Sequence, residues 1–353
     1  MANNSRDIIR QRQETIVSFV KSQKTAPREA IQEFITKKFP QSSKLTILRD
    51  LDALVADGKV FKQGKARATT YVFQSTPILE TFDTNRYFSV LQDDRKLISN
   101  GFNFDVWDNL HDILSAKEKV ELATLNDRYL KALKELPPSA LRKEMERITI
   151  ELSWKSSQIE GNTYTLLDTE ELIKVGIEAK GKTHEEAIMI LNHKKAIEFV
   201  FEKPGYFKKI TLSKIEDLHR LLIAGLEVDF GIRNYKVGIT GTKYKPLDNK
   251  YQIREAIEKL ADTINVLENP IEKALVAALM ISYIQPFADG NKRTARILGN
   301  AILMAGHYCP LSYRSVDEGE YKKAILMFYE QNSAYYFKQI FTNQFKFAVE
   351  TYF

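Results

Sequence analysis

Apolar residues recur at helical spacing through most of the chain. Leu212, Ile215, Leu218, Leu222 and Ile223 mark a helix over residues 211–226, and Ile188, Leu191, Ala196 and Val200 mark another over 185–201. Helices are also expected over 116–136 and 141–157, split by Pro137-Pro138, and over 318–332, where Tyr321, Ile325 and Phe328 form a stripe. Two apolar runs, residues 274–284 and the stretch from Ile297, flank a short polar segment. Nearer the start, helical patterns cover residues 6–21 and 26–39, the second with Thr25 as cap and Pro27 as an early helical residue. Ser42-Ser43 can cap a third over residues 44–57, with Leu45, Leu48, Leu51, Leu54 and Val55 as its buried stripe and Gly58 as its stop. Residues 59–73 then read as two strands around a basic turn. Val237, Ile239 and Tyr244, broken by Gly238 and Gly241, read as a β-hairpin. The fold class is mainly α.

A chain of 353 residues with 44% hydrophobic content allows two or three domains and a large core. Charge then separates the ends. Residues 1–73 carry 14 Lys and Arg against 7 Asp and Glu, whereas the remainder carries 38 against 39, so the whole net charge of +6 comes from the first segment. A basic domain beside a neutral one suggests a polyanionic partner. Helix, helix, helix and hairpin in that order resemble a winged helix, and the run from Thr46 to Leu51 with the turn after Gly64 is similar to the recognition helix and wing of DNA-binding bacterial repressors. That resemblance implies Ser43, Lys44, Thr46 and Ile47 facing the major groove of duplex DNA, with Lys65 and Arg67 on backbone phosphate. Winged helices also serve as protein docking modules. The first residues show no apolar signal region and no run is long enough to span a bilayer, which predicts a cytoplasmic protein without a membrane partner. The single cysteine, Cys309, excludes an internal disulfide framework and reads as a buried structural thiol. His111, His184, His193, His219 and His307 show no metal-ligand spacing, and His219 reads as a core histidine.

Candidate chemistry concentrates in residues 285–296, Gln-Pro-Phe-Ala-Asp-Gly-Asn-Lys-Arg-Thr-Ala-Arg. Gly290 and Asn291 can open a helix whose free N–H groups point at an anion, Arg293 and Arg296 supply forks of donors, and Asp289 can hold a magnesium ion against the same phosphates. The stretch resembles the signature of the Fic family, His-x-Phe-x-(Asp/Glu)-Gly-Asn-(Gly/Lys)-Arg-x-x-Arg. Phe287, Asp289, Gly290, Asn291, Lys292, Arg293 and Arg296 match it, and Gln285 stands where the family has its histidine. The resemblance implies a Fic-type helical bundle that binds ATP with magnesium and transfers AMP to a hydroxyl of a target protein. Gly290, Asn291, Lys292, Arg293 and Arg296 would bind nucleotide, Asp289 the metal, and Gln285 would occupy the place of the base. Glutamine has no titratable nitrogen and cannot be a general base near neutral pH.

Two further segments extend the resemblance. Ser156-Ser157-Gln158-Ile159-Glu160-Gly161 is similar to the family's inhibitory motif, (Ser/Thr)-x-x-x-Glu-(Gly/Asn), which implies that Glu160 reaches Arg296, with Ser156 on the same helix face and Gly161 as the stop. Residues 233–246 resemble the family's flap, whose strand edge, through Val237, Ile239, Thr240, Gly241 and Thr242, would hold a target segment. Near the C-terminus Tyr321 and Asn332 are candidates for the adenine side, although Tyr321 suits core packing. The expected domains are a winged-helix unit over 1–78, a linker and helical region over 79–150, linker-like in residues 82–101, and a Fic domain over 151–353 opening on the inhibitory helix. ATP, a target protein, duplex DNA and a second copy of the chain are the expected partners. Two functions fit: a protein adenylyltransferase of low activity, or a nucleotide-sensing transcriptional regulator without turnover.

Overall fold

The computed structural model describes residues 2–23, 25–56, 60–64, 69–72 and 77–353, with side chains from Ile8 onward except that of Pro77. The chain divides into two compact units, Met1–Thr76 with Leu114–Glu121, and Pro77–Ile113 with Leu122–Phe353.

The first unit runs α1 (Ala2–Gln23), β1 (Thr25–Pro27), α2 (Arg28–Lys38), α3 (Lys44–Ala56), β2 (Phe61–Gln63) and β3 (Thr70–Val72). β3 lies between β1 and β2, antiparallel to both, with Val72 opposite Thr25 on one side and Phe61 on the other. Ile16, Val20, Ile31, Ile35, Ile47, Leu51, Leu54, Val60 and Tyr71 form its core. Residues 25–27, expected at a helix start, are instead a strand, because Pro27 can close a strand edge and then precede the first turn of α2. Ser43 caps α3, accepting from Thr46 N–H at 3.1 Å.

The buried face of α3 is Ile47, Asp50, Leu51 and Leu54. Leu45, expected in the stripe, is 57% exposed. Ile47, expected to face a DNA groove, is fully buried in the core, which its β-branched apolar side chain favours over a polar groove. Asp50 on that face is matched by a buried ion pair with Arg12 of α1, supported by Gln13 at 3.3 Å.

The second unit is helical: α4 (Thr84–Ser89), α5 (Ala116–Glu135, its first residues counted with the first unit), α6 (Pro138–Ile159), α7 (Leu166–Val175), α8 (His184–Glu202), α9 (Leu212–Ile223), α10 (Lys250–Val266), α11 (Pro270–Ile284), α12 (Asn291–Ala305), α13 (Glu318–Gln331) and α14 (Tyr335–Tyr352). α11 and α12 form its centre: every residue of 274–284 and of 293–303 is buried. Cys309 is buried there too, and burial raises its thiol pKa. The linker-like stretch is fastened to this unit. Both backbone groups of Phe82 meet the Tyr336 hydroxyl, and Ile98 N–H donates to Glu330 O at 2.8 Å.

The expected flap hairpin is not formed. Residues 235–246 run without a strand and turn at Gly241, whose φ is +88°. Lys245 N–H donates to Asn100 O at 2.8 Å, so this arm pairs with an upstream segment instead of closing a ladder on the other arm. Among the described residues no helix is long and apolar enough to cross a membrane.

Candidate nucleotide site

The polar segment between α11 and α12 is a loop held from three sides. Gln285 caps α11 in the left-handed region, at φ 50°, its N–H donating to Ile281 O. Gly290 precedes α12 in the left-handed region, at φ +79°, a conformation that favours glycine; a Cβ there would meet Ile223 and His219 only at ordinary contact distance. Asn291 staples the loop from within: Phe287 N–H donates to its Oδ1 at 2.9 Å and its Nδ2 donates to Phe287 O at 2.8 Å. Behind the loop, Phe287 stacks on His219 with ring centres 3.7 Å apart. His219 Nε2 donates to Asp289 O at 3.0 Å, and burial, the largest influence, lowers its pKa to about 4. In front, Arg233 donates through Nε to Gln285 O at 2.7 Å, with its other nitrogens on Tyr235 O and Leu247 O.

This scaffold sets the donors expected to meet phosphate. Arg293 is buried and pairs with Asp289 at 2.8 Å; burial, outweighing the attraction of Asp289, lowers its pKa. The Asp289 side chain is 65% exposed and uses Oδ2 for that pair. One exposed carboxylate suits magnesium, which is ordinarily bound by one or two carboxylates with waters and substrate phosphates, so the residues present fit the ion. Asn291, by contrast, has its side chain engaged by Phe287. It can offer a ligand its backbone N–H at the start of α12, beside that of Lys292.

Arg296 is fully buried and answered by α6. Its Nε donates to Ser156 Oγ at 2.8 Å, and its Nη2 to Ser156 O at 2.9 Å and to Glu160 Oε1 at 2.8 Å. Lys292 adds a second cation 3.5 Å from Glu160 Oε2. Four-residue spacing places Ser156 and Glu160 on one helix face, and Gly161, at φ +99°, ends the helix there. Burial opposes ionisation of Glu160, but the charges of Arg296 and Lys292 overcome it and hold its pKa below the usual carboxylate value. Burial likewise opposes the charge on Arg296, and Glu160 overcomes it in turn, raising the guanidinium pKa.

Gln285 is buried, its Nε2 donating to Ser282 O at 2.6 Å and to Tyr329 OH at 3.2 Å. Tyr321 packs against Arg296, its hydroxyl 3.5 Å from Nη1. Asn332 pairs with Asn103 at 2.9 Å and with Phe328 O. Sequence reasoning gave no role to Arg233, which anchors the loop, or to His193. The latter donates from Nδ1 to Met189 O at 2.9 Å and so accepts the Ser156 hydroxyl at Nε2, 2.8 Å away. Burial, then the nearby Arg293 charge, lowers the His193 pKa to about 3, so the ring is a neutral acceptor. Of the flap residues, Thr242 is buried, Val237, Ile239 and Gly241 are half-buried and Thr240 is exposed. Lys44 is exposed on α3, and Thr46 is half-buried with Oγ1 2.9 Å from Ser43 Oγ. Lys65 and Arg67 lie outside the described residues.

Residues 209–303 match the model of the Fic/DOC family. The chain is 27% identical over 218 residues to protein adenylyltransferase fic-1 of Caenorhabditis briggsae, covering 59% of this chain and 42% of that protein. It is 30% identical over 175 residues to protein adenylyltransferase Fic of Nematostella vectensis, covering 48% and 40%. The chain thus spans less than half the length of the curated relatives it matches. Among solved structures it is similar to Fic-1 of C. elegans, with a TM-score of 0.59 at 22% identity over 67% of this chain and 72% of that one. A Fic domain containing signaling protein of Bacteroides thetaiotaomicron gives 0.54 at 22% identity over 67% and 93%.

Proposed function

Because residues 209–303 form a Fic/DOC family domain, we propose that this chain binds ATP with magnesium as a protein adenylyltransferase of low activity, restrained by its own Glu160. The observation that carries this reading is Arg296, whose guanidinium is taken up by Ser156 and Glu160 in place of a phosphate. The start of α12 offers backbone N–H groups beside Arg293 and Arg296, a donor set for a polyphosphate. Asp289 would hold magnesium, which neutralises charge on the phosphates. A target hydroxyl forms a bond to the α-phosphorus while the bond to pyrophosphate breaks, and the hydroxyl proton must leave.

Gln285 cannot take that proton. Its amide hydrogens are engaged by Ser282 and Tyr329, and it has no basic nitrogen. Positioning and electrostatics carry most of phosphoryl transfer, so transfer persists at a reduced rate. The test joins both restraints. Glu160→Gly should raise ATP affinity in calorimetry, and Gln285→His in that background should raise labelling of the protein itself or of a lysate protein with AMP by on the order of 10²-fold. A double variant that binds ATP and labels nothing would overturn the transferase reading and favour a nucleotide-sensing regulator.

That alternative draws on the first unit. Three helices and a three-stranded sheet in the order helix, strand, helix, helix, strand, strand, with a positive charge excess, support a winged helix on duplex DNA. Ser43, Lys44 and Thr46, at the start of α3, are the groove-facing candidates that remain once Ile47 is placed in the core.

A further inference from the structure

The segment compared to a flap is held by a residue 138 positions from its first anchor, Arg233. Arg95 is buried, and three separate parts of the second unit meet at its guanidinium. It lies 3.3 Å from Glu330 of α13, donates to the carbonyl oxygen of Gly241, and stands 5.1 Å from the ring of Phe88 and 5.8 Å from that of Tyr87. The Tyr87 hydroxyl donates to the second oxygen of Glu330 at 2.7 Å. Two neighbouring contacts run the same way: Lys243 Nζ donates to Asp93 O at 2.5 Å, and Lys245 N–H to Asn100 O at 2.8 Å. Residues 241–245 are therefore fixed to residues 93–101.

The other arm differs. Among the described residues, the backbone N–H groups of residues 236–240 donate no hydrogen bond within the chain, and Lys236, Gly238 and Thr240 are exposed. An exposed arm with unanswered N–H groups is an edge that a partner segment can pair with. α13 also carries Tyr329 beside Glu330, so one helical turn holds both the Arg95 anchor and the hydroxyl that meets Gln285.

We propose that Arg95 is a positioning residue for protein substrate: it locks residues 241–245 to the chain itself, and so leaves residues 236–240 as the edge on which an extended target segment is presented to the nucleotide site. This rests on the transferase reading, and its test is independent of turnover. In the full-length chain, Arg95→Met with Glu330→Met removes the anchor without stranding a buried carboxylate, and Arg95→Lys keeps the charge. Hydrogen exchange at the Tyr244 and Lys245 amides should be at least about tenfold faster in the double variant, because a charge-assisted hydrogen bond is among the stronger local restraints. Exchange in α11 and ATP affinity should stay within about twofold of the parent, and Arg95→Lys should restore part of the protection, as a retained cation can still reach Gly241 or Glu330. Unchanged exchange at Tyr244 and Lys245 would overturn the proposal, as would equal loss of protection in α11, which would mark a general stabilising role. If parent and variants alike fail to bind ATP, the transferase reading falls, while the exchange result still decides what Arg95 does.

Discussion

Arg296 has five N–H donors and no solvent to receive them, so its neighbours decide its state. Ser156 answers it twice and Glu160 once, and His193 orients the Ser156 hydroxyl by accepting its hydrogen bond. That acceptor role requires a neutral imidazole. The folded pKa values of about 3 for His193 and about 4 for His219 lie below the ordinary 6.5, so the folded chain binds fewer protons than the unfolded chain between these limits. The stability this reflects is complete above about pH 6.5 and declines as pH falls toward the folded values, by at most about 1.4 kcal/mol per pH unit for each ring. Urea unfolding followed from pH 7.5 to 5 should show a falling midpoint, less steep in His193→Asn; a flat profile would contradict the neutral assignment. Glu160 and Arg296 could be matched from the sequence only through the family resemblance, which implies that the two motifs meet. His193 and Arg233 could not, since they act on a distant serine and on backbone carbonyls, partners that leave no pattern in the residues nearby.

Helices of the second unit were legible as elements because their apolar spacing is long and regular: the helix expected over 185–201 is His184–Glu202, and that over 318–332 is Glu318–Gln331. Short elements were not. Three residues cannot display an alternation, so β1 suggests the opening of a helix, and the strand-forming residues after Arg233 suggest a hairpin, of which one arm pairs with an upstream segment instead and the other forms no ladder. In α3 four leucines offered two overlapping stripes, and the covered one runs through Ile47, Leu51 and Leu54. Thermal or urea unfolding should separate them. Leu45→Asp should change stability by no more than about 0.5 kcal/mol, as expected of an exposed position, whereas Ile47→Ala should cost about 2–5 kcal/mol through the cavity it leaves. Equal losses from the two would place both side chains in the core.

At the scale of the molecule, a unit with excess positive charge shares one chain with a stretch that matches the Fic/DOC family model. Charge asymmetry was legible by counting, and it gives the first unit its test. The full chain should bind duplex DNA with an affinity that falls steeply with salt, and Lys65→Glu with Arg67→Glu should weaken binding on all sequences and reduce the slope of log affinity against log salt by about 2, as loss of two phosphate contacts requires. Absence of binding at low salt would make this unit a protein docking module.

The contact between α6 and α12 has a further consequence. Glu160 is joined to Arg296 by the chain itself, so it behaves as a ligand that dilution cannot remove. A tethered group competes at an effective concentration set by its linkage, on the order of millimolar for short flexible tethers. A helix that already points the carboxylate at its guanidinium needs no ordering to reach it. Under the proposed function, free triphosphate would have to outcompete that fixed local concentration, and occupancy would respond to movement of the end of α6 more sharply than to the nucleotide supply. On that reading, anything that draws the turn at Gly161 away from α12 would act as an activator without touching the nucleotide.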